Sequence, residues 1–260
     1  MSKNSKKTVA PDNSGVFAED VVADVKKDFA ARQKARRPYE LNWQLNMNFV
    51  MGNQYCQVTP RGAIEQEDKY YFWQEKQVYN HIAPIVETRL ARLNRVRPRP
   101  IVRPFTNSDQ DVNAAKLTTK ILNASRDKNR LDDVITRATA WSETCGTAFY
   151  KVSWNADKDD AEVSVCSPFE IYPDSNVTAT VDECASVIHA KVYSAQEVND
   201  IWNVNVKGES IKVFACGDGS AQVCGLGYSS SYPSVAQEAK SDQVLVIERY
   251  TKPTKRYPNG

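Results

Sequence analysis

The sequence predicts an α+β fold, with an N-terminal stack of amphipathic helices followed by a β-rich part with a short helix. Up to Gly146, apolar residues recur at helical spacing, as stripes at 100° per residue. From Thr147 the period drops to two, as in TAFYKVSW, the alternation of a half-buried strand. Later, Ser194 and Glu197 are spaced as a capping box, which opens one further short helix. Residues 1–15 then read as a disordered basic tail, 16–146 as a helical region, and 147–260 as a β-rich region with a flexible loop at 217–233.

Between Val16 and Gln33 the apolar residues Phe17, Val21, Val22, Val25 and Phe29 fall within roughly 140° of arc. Asp20, Asp24, Lys27 and Gln33 form the opposite, solvent-like face. The run KARR before Pro38 marks a kink or break. A second helix, YELNWQLNMNFVMGNQY, starts at Pro38, where a missing N–H costs nothing. Gly52 fits its C′ position. Tyr39, Trp43, Met47 and Val50 lie on one face of it, and Leu41, Leu45 and Phe49 on the other. A helix that is apolar on two sides is buried between partners, so this segment reads as the central strut. The amides Asn42, Gln44, Asn46 and Asn48 between the stripes are buried at lower cost than charges, provided they are hydrogen-bonded.

A loop is expected from Asn53 to Glu75. The cluster Tyr70 to Trp73 within it reads as an aromatic strand at a core edge, or as a base-stacking platform. From Asn80 a helix carries Ile82, Ile85, Val86, Leu90, Leu93 and Val96 on one face, with Pro84 in its first turn. Pro98 and Pro100 stop it, and RPRPIVRP is extended. Ser108 and Asp111 resemble a capping box opening a helix to about Ser125. Its stripes are Val112, Ala115, Thr119 and Leu122, and Ala114, Leu117 and Ile121. The next helix places Leu131, Val134, Ile135, Ala138, Trp141 and Cys145 on one face, and Gly146 caps it. A hairpin follows with its turn at NADKDD, then a short extended PFEIYPD. Strands are expected at Ser186–Tyr193, Ile211–Cys216 and Asp242–Thr251, with a short helix from Ser194 to about Asn203. Ending on KPTKRYPNG, a turn after a strand, the chain reads as incomplete.

Composition bounds the function. At 260 residues, with 41% hydrophobic and 25% charged residues, the chain has the makeup of a soluble globular protein with a sizeable core. A net charge of +2 gives no bulk argument for nucleic acid. No run is long and apolar enough to span a bilayer, and the N-terminus lacks the apolar segment of a secretory signal. The six cysteines form no C-x-x-C pair and stand far in sequence from His81 and His189, so zinc is poorly supported and reduced, buried thiols are favoured. His189 reads as a satisfied sheet residue rather than a ligand. There is no phosphate-binding glycine loop, no G-x-S-x-G elbow and no H-E-x-x-H. The acidic hairpin turn lacks calcium-loop spacing. No catalytic, cofactor or metal site is expected.

One cluster stands out: Arg89, Arg92, Arg95, Arg97, Arg99 and Arg103. Cations at a helix C-terminus are favoured by the macrodipole alone. Contact with phosphates, or with an acidic neighbouring subunit, is the alternative.

Several segments resemble tailed-bacteriophage portal proteins of the kind related to podovirus portals. They are ARRPYELNWQLNMNFVMGNQY, VYNHIAPIVETRLARLNRVRPRPIVRP, SDQDVNAAKLTTKIL, WSETCGTAFYKVSWN, SPFEIYPD and VLVIERYTKPTKRYPNG. They occur in the family's order and cover about Lys34 to Gly260. The resemblance implies a wing-like portion of a homo-oligomeric ring, typically of twelve subunits, at one capsid vertex. It implies double-stranded DNA passing through the channel, and a terminase docked on the ring that holds the ATP-hydrolysing motor. Capsid, scaffold and tail or head-completion proteins are further implied partners, with assembly in the host cytoplasm. Family members continue into stem, clip and crown elements that this chain does not show. Two other readings stand beside it: a monomeric nucleic-acid-binding module using the Arg89–Arg103 stretch, and an enzyme with an unrecognised site.

Overall fold

A computed structural model describes residues 15–58, 64–66, 77–97, 99–155, 158–174, 180–214 and 237–253. The helices are α1 (Gly15–Val50), α2 (Ile82–Arg95), α3 (Asp109–Lys128), α4 (Leu131–Cys145) and α5 (Ala195–Trp202). The strands are β1 (Cys56–Val58), β2 (Ile64–Gln66), β3 (Phe149–Asn155), β4 (Asp160–Cys166), β5 (Ile171–Pro173), β6 (Ser186–Ser194), β7 (Glu209–Phe214) and β8 (Gln237–Thr251). The fold is therefore α+β, with four of the five described helices before Gly146 and six of the eight described strands after it. Strands β1 and β2 form one hairpin and β3 and β4 another, and a four-stranded sheet has the order β5-β6-β8-β7.

Two expectations for the first helices are corrected. The break at Pro38 is absent: residues 15–50 form one helix of 36 residues with Pro38 inside it. Its buried positions explain why. Phe29, Arg32, Arg36, Glu40, Gln44 and Met47 recur every three or four residues, and with Asn48 beside Met47 all are buried. Burial along both sides of the proline outweighs the one backbone hydrogen bond it removes. The solvent-facing and core-facing assignments shift accordingly. Val21 and Val22 are each 51% exposed, while Phe29 is buried. Of the strut residues, Met47 and Val50 are buried, Trp43, Leu41, Leu45 and Phe49 are half-buried, and Tyr39 is 63% exposed. The helix thus buries mainly one stripe, much of it polar.

The chain divides into two compact units. The first comprises Met1–Arg36, Tyr172–Ile188 and Arg249–Gly260. Here Phe29 meets Tyr172 edge to face, with ring centroids 4.9 Å apart, and the Arg36 guanidinium lies 3.3 Å over the same ring. Arg32 donates to the carbonyls of Tyr172 and Ser186 and pairs with Asp28. Arg249 reaches Asp24 at 3.0 Å and Asp28 at 3.5 Å.

The second unit comprises Arg37–Ile171 and His189–Glu248. Its core is Met47, Trp141 and Cys145, with Trp43, Met51, Ala148, Val165 and Phe169 packed around them. Phe169 stands edge-on to Trp43 and to Trp141, at 5.3 and 6.3 Å. Of the four amides between the expected stripes, Gln44 and Asn48 are buried but Asn42 and Asn46 are exposed, because the helix buries one stripe rather than two. Asn48 donates to the Gln44 carbonyl and Asn46 to the Thr144 carbonyl, while Asn53 donates to Asn48 and Asn80 to the Val50 carbonyl. Gly52 sits at φ +93°, the left-handed conformation that ends α1.

The other helices begin and end where local chemistry says. The Ser108 hydroxyl caps α3 by accepting from the Asp111 N–H. Gly146 closes α4 in the left-handed conformation. The α4 stripe packs inward, with Ala138, Trp141 and Cys145 buried. Ser194 and Glu197 form both halves of the capping box of α5. Strands β3 and β4 pair from Phe149 opposite Cys166 to Asn155 opposite Asp160. Two corrections concern strands. The expected loop after α1 contains the β1–β2 hairpin, and β8 begins at Gln237, five residues before the predicted start. The expected aromatic cluster at Tyr70–Trp73 and the loop at 217–233 lie outside the described residues.

Candidate functional site

The arginine stretch starts on α2. Asn80 accepts from the N–H groups of Ile82 and Ala83 and so opens the helix, with Pro84 in its first turn as expected. Arg92 and Arg95 lie in the last turn, where the macrodipole favours them. At 100° per residue Arg92 and Arg95 stand about 60° and 120° around the helix from Arg89. Just beyond α2, Val96 is extended, and further on the Val102 N–H donates to the Thr119 hydroxyl of α3.

The six arginines do not act alike. Arg89 makes a two-pronged contact with Glu143 of α4: Nε donates to Oε2 at 2.6 Å and Nη2 to Oε1 at 3.1 Å. Those hydrogen bonds raise the Arg89 pKa and hold the Glu143 carboxyl below its usual range, against a smaller opposing effect of burial. Arg97 reaches Asp132 at 3.0 Å, and that carboxylate also accepts from Arg126. Hydrogen bonds from Arg126, then Arg97, hold the Asp132 pKa down despite some burial. Arg92, Arg95, Arg99 and Arg103 are exposed, and none forms an ion pair with another described residue.

The apolar face of α2 splits. Val86 and Leu90 are half-buried, and Asn94 beside them accepts from Thr136 of α4. Ile82, Ile85, Leu93 and Val96 remain exposed, Ile85 at 60% and Val96 at 77%. No residue of α2 is buried. Phe105 beyond it is fully exposed. On α3 only part of one predicted stripe is covered: Ala115 is buried, whereas Leu117 and Ile121 of the second are exposed. These helices present more apolar surface than one chain covers.

A third grouping escaped the sequence reading. Cys166 ends β4, Glu170 ends the following turn, and His189 sits on β6. Their Sγ, carboxylate oxygen and imidazole nitrogen lie within 4.8 Å of one another. The Glu170 carbonyl accepts from the Ala190 N–H at 2.8 Å, which fixes the turn against β6. His189 Nδ1 faces Glu248 Oε2 at 2.9 Å and Lys151 Nζ at 3.2 Å, and Lys151 also pairs with Glu248. Cys166 and His189 stand 23 residues apart with no motif spacing, so only the β4–turn–β6 topology reveals the cluster. Among the described residues Cys56, Cys145, Cys166 and Cys184 are buried and form no disulfide.

Helices α2 and α3 thus carry exposed apolar side chains beside a partly neutralised basic stretch, and no helix among the described residues is long and apolar enough to cross a membrane. Comparison with known families assigns the chain. The phage P22-like portal protein family matches residues 20–257, and the chain belongs to that family of bacteriophage capsid-vertex proteins. No curated protein matches the chain significantly.

Proposed function

We propose that this chain is a non-enzymatic subunit of a portal ring, typically of twelve copies, at one capsid vertex of the virion. Double-stranded DNA passes through the ring during packaging and ejection. Terminase, capsid and scaffold proteins, and tail or head-completion proteins dock on such a ring, which assembles in the host cytoplasm. Membership of the portal family over residues 20–257 carries this reading. The exposed stripe of Ile82, Ile85, Leu93 and Val96 supports it, since a second copy of the chain is the occupant a homo-oligomer supplies. The arginines divide between these roles: Arg89 and Arg97 are held in intramolecular pairs, and Arg92, Arg95, Arg99 and Arg103 are left for an acidic neighbour or for DNA.

The test is the mass of the purified chain in solution, with particle images by electron microscopy. Closed rings are expected. Monomers at every concentration and salt would remove the reading that this stretch holds the ring contacts.

The four unpaired arginines also favour a second reading, a monomeric nucleic-acid-binding module. Four phosphate contacts predict a slope of log affinity against log salt of roughly −3.6. A monomer that binds DNA with that slope, and loses it when those four become alanine, would favour this reading over the ring.

A further inference from the structure

We propose that Cys166, Glu170 and His189 form a zinc site that fastens the end of β4 and the following turn to β6. The ligand types are those zinc takes: a thiolate, an imidazole and a carboxylate. Their spacing fits as well. Tetrahedral zinc at ordinary bond lengths places neighbouring ligand atoms roughly 3.3–3.8 Å apart. His189 Nε2 and Glu170 Oε2 are 3.8 Å apart, and all three ligand atoms lie within 4.8 Å. Shifts of about 1 Å or less in side chains would close the site around one ion.

The histidine supplies the independent observation. It is 6% exposed, and its Nε2 has no hydrogen-bond partner. A buried imidazole nitrogen left without a partner costs stability and needs a reason. The ring's other nitrogen is engaged. Nδ1 lies 2.9 Å from Glu248 Oε2, so once Nε2 is deprotonated by the metal the ring holds its Nδ1–H toward Glu248 and turns the Nε2 lone pair toward Cys166 and Glu170. A carboxylate behind a histidine is the arrangement that orients a metal-bound imidazole and raises its basicity. Lys151 balances the charge of Glu248 by donating from Nζ to the same Oε2.

Charge and protons balance simply. The ion enters as Zn²⁺, and two protons leave to solvent: the Cys166 thiol loses one on forming the Zn–S bond, and His189, whose pKa is raised to about 10 against the effect of burial by its contacts with Cys166, Glu170 and Glu248, loses one to bind as the neutral ring. No oxidation occurs. Glu170 is half-buried, so the open side of the site faces the turn, and a water or the second Glu170 oxygen completes four-coordination.

The experiment uses the untagged full chain, stripped with a chelator, reloaded with zinc and dialysed. About one retained zinc per chain is expected, with a higher Tm in the loaded protein. Cobalt loading should give the intense thiolate-to-metal absorption band of a cysteine-ligated site. Cys166→Ser should abolish that band, Glu170→Gln should weaken zinc affinity by about 10-fold or more, and Cys184→Ser, at a buried cysteine outside the site, should change neither. Glu170 is half-exposed, so its variant keeps the test valid if Cys166→Ser or His189→Gln fails to fold by circular dichroism. Failure to retain zinc, a band that survives Cys166→Ser, or unchanged affinity in a folded Glu170→Gln would each overturn the proposal.

Discussion

Arg32 and Ser186 are separated by 154 positions in sequence and joined by two hydrogen bonds. Arg32 Nη1 donates to the Ser186 carbonyl at 3.0 Å, and Nη2 donates to the Ser186 hydroxyl at 2.6 Å. The guanidinium also donates to the Tyr172 carbonyl and pairs with Asp28, and the residue is only 7% exposed. Arg32→Met keeps the stem but removes the donor shared by the Tyr172 and Ser186 carbonyls and the Ser186 hydroxyl, and leaves Asp28 with Arg249 at 3.5 Å. A loss of about 2–4 kcal/mol is expected in urea unfolding. Arg32→Lys should recover only part of it, because an ammonium lacks the planar fork that reaches all of these acceptors. A loss under about 0.5 kcal/mol for Arg32→Met would show that the network is not structural.

Pro38 is the local rule that the fold overrides. It sits inside α1, exposed, where its ring removes one intrahelical hydrogen bond. Pro38→Ala restores the N–H and removes the clash with the preceding turn. A gain of about 1–3 kcal/mol is expected, visible as a raised Tm. A lowered Tm would mean that the helix needs the bend that a proline imposes.

These two positions show where the sequence was legible and where it was not. Caps and stripes set by near neighbours read correctly: Ser108, Gly146, the Ser194–Glu197 box, the α4 stripe and the β3–β4 hairpin. Arg36, read as part of a break, is buried over Tyr172, because its partner lies far along the chain. Glu40 and Gln44 continue that stripe, and periodicity counted on apolar residues alone cannot see it. The β1–β2 hairpin was missed because three-residue strands carry too little alternation. On α2 the apolar stripe was real, but hydrophobicity does not say whether the same chain or another one covers it. The ends of the arginine stretch were legible as charge, but not the pairing of Arg89 and Arg97 with α4 carboxylates. The Cys166–Glu170–His189 cluster had no signal in spacing at all.

The Arg89–Glu143 pair gives stability a dependence on acid. Arg89's hydrogen bonds and charge hold the Glu143 carboxyl below its ordinary 4.5 in the folded chain. A depressed carboxyl stabilises the fold above its unfolded value, and that contribution is lost as pH falls through the folded value. Wild type should therefore exceed Glu143→Gln in Tm at neutral pH, and the two curves should converge as pH drops below about 4.5. Arg89 is 62% exposed, so the difference should also shrink in high salt. Parallel curves at all pH values would mean that the pair contributes nothing.

The start of α5 depends on a single hydroxyl. The Ser194 Oγ accepts from the Glu197 N–H at 3.2 Å, and the Glu197 carboxylate accepts from the Ser194 N–H at 2.9 Å. Ser194→Ala removes the first bond and should cost about 1 kcal/mol. Ser194→Asp should retain most of it, since aspartate caps as well and its charge suits the helix N-terminus. Equal destabilisation by both would assign the loss to packing of Ser194 rather than to the cap.

The exposed face of α2 separates folding from assembly. Ile85 is 60% exposed and stands about 180° around the helix from Asn94, which accepts from Thr136 of α4, and about 40° from Arg89, whose guanidinium is already held by Glu143. A charge there meets water in the single chain, so Ile85→Glu should alter unfolding stability by no more than about 0.5 kcal/mol. In a ring where a second copy covers this face, the same carboxylate is buried without a partner, at a cost of several kcal/mol per interface. The contact repeats around the ring, so the mass distribution should collapse toward small species while circular dichroism and Tm stay unchanged. Leu117→Glu on α3, also exposed, distinguishes a contact confined to α2 from one that extends across both helices. Rings that persist in Ile85→Glu would place the subunit contacts elsewhere on the chain and leave this apolar face without its proposed partner.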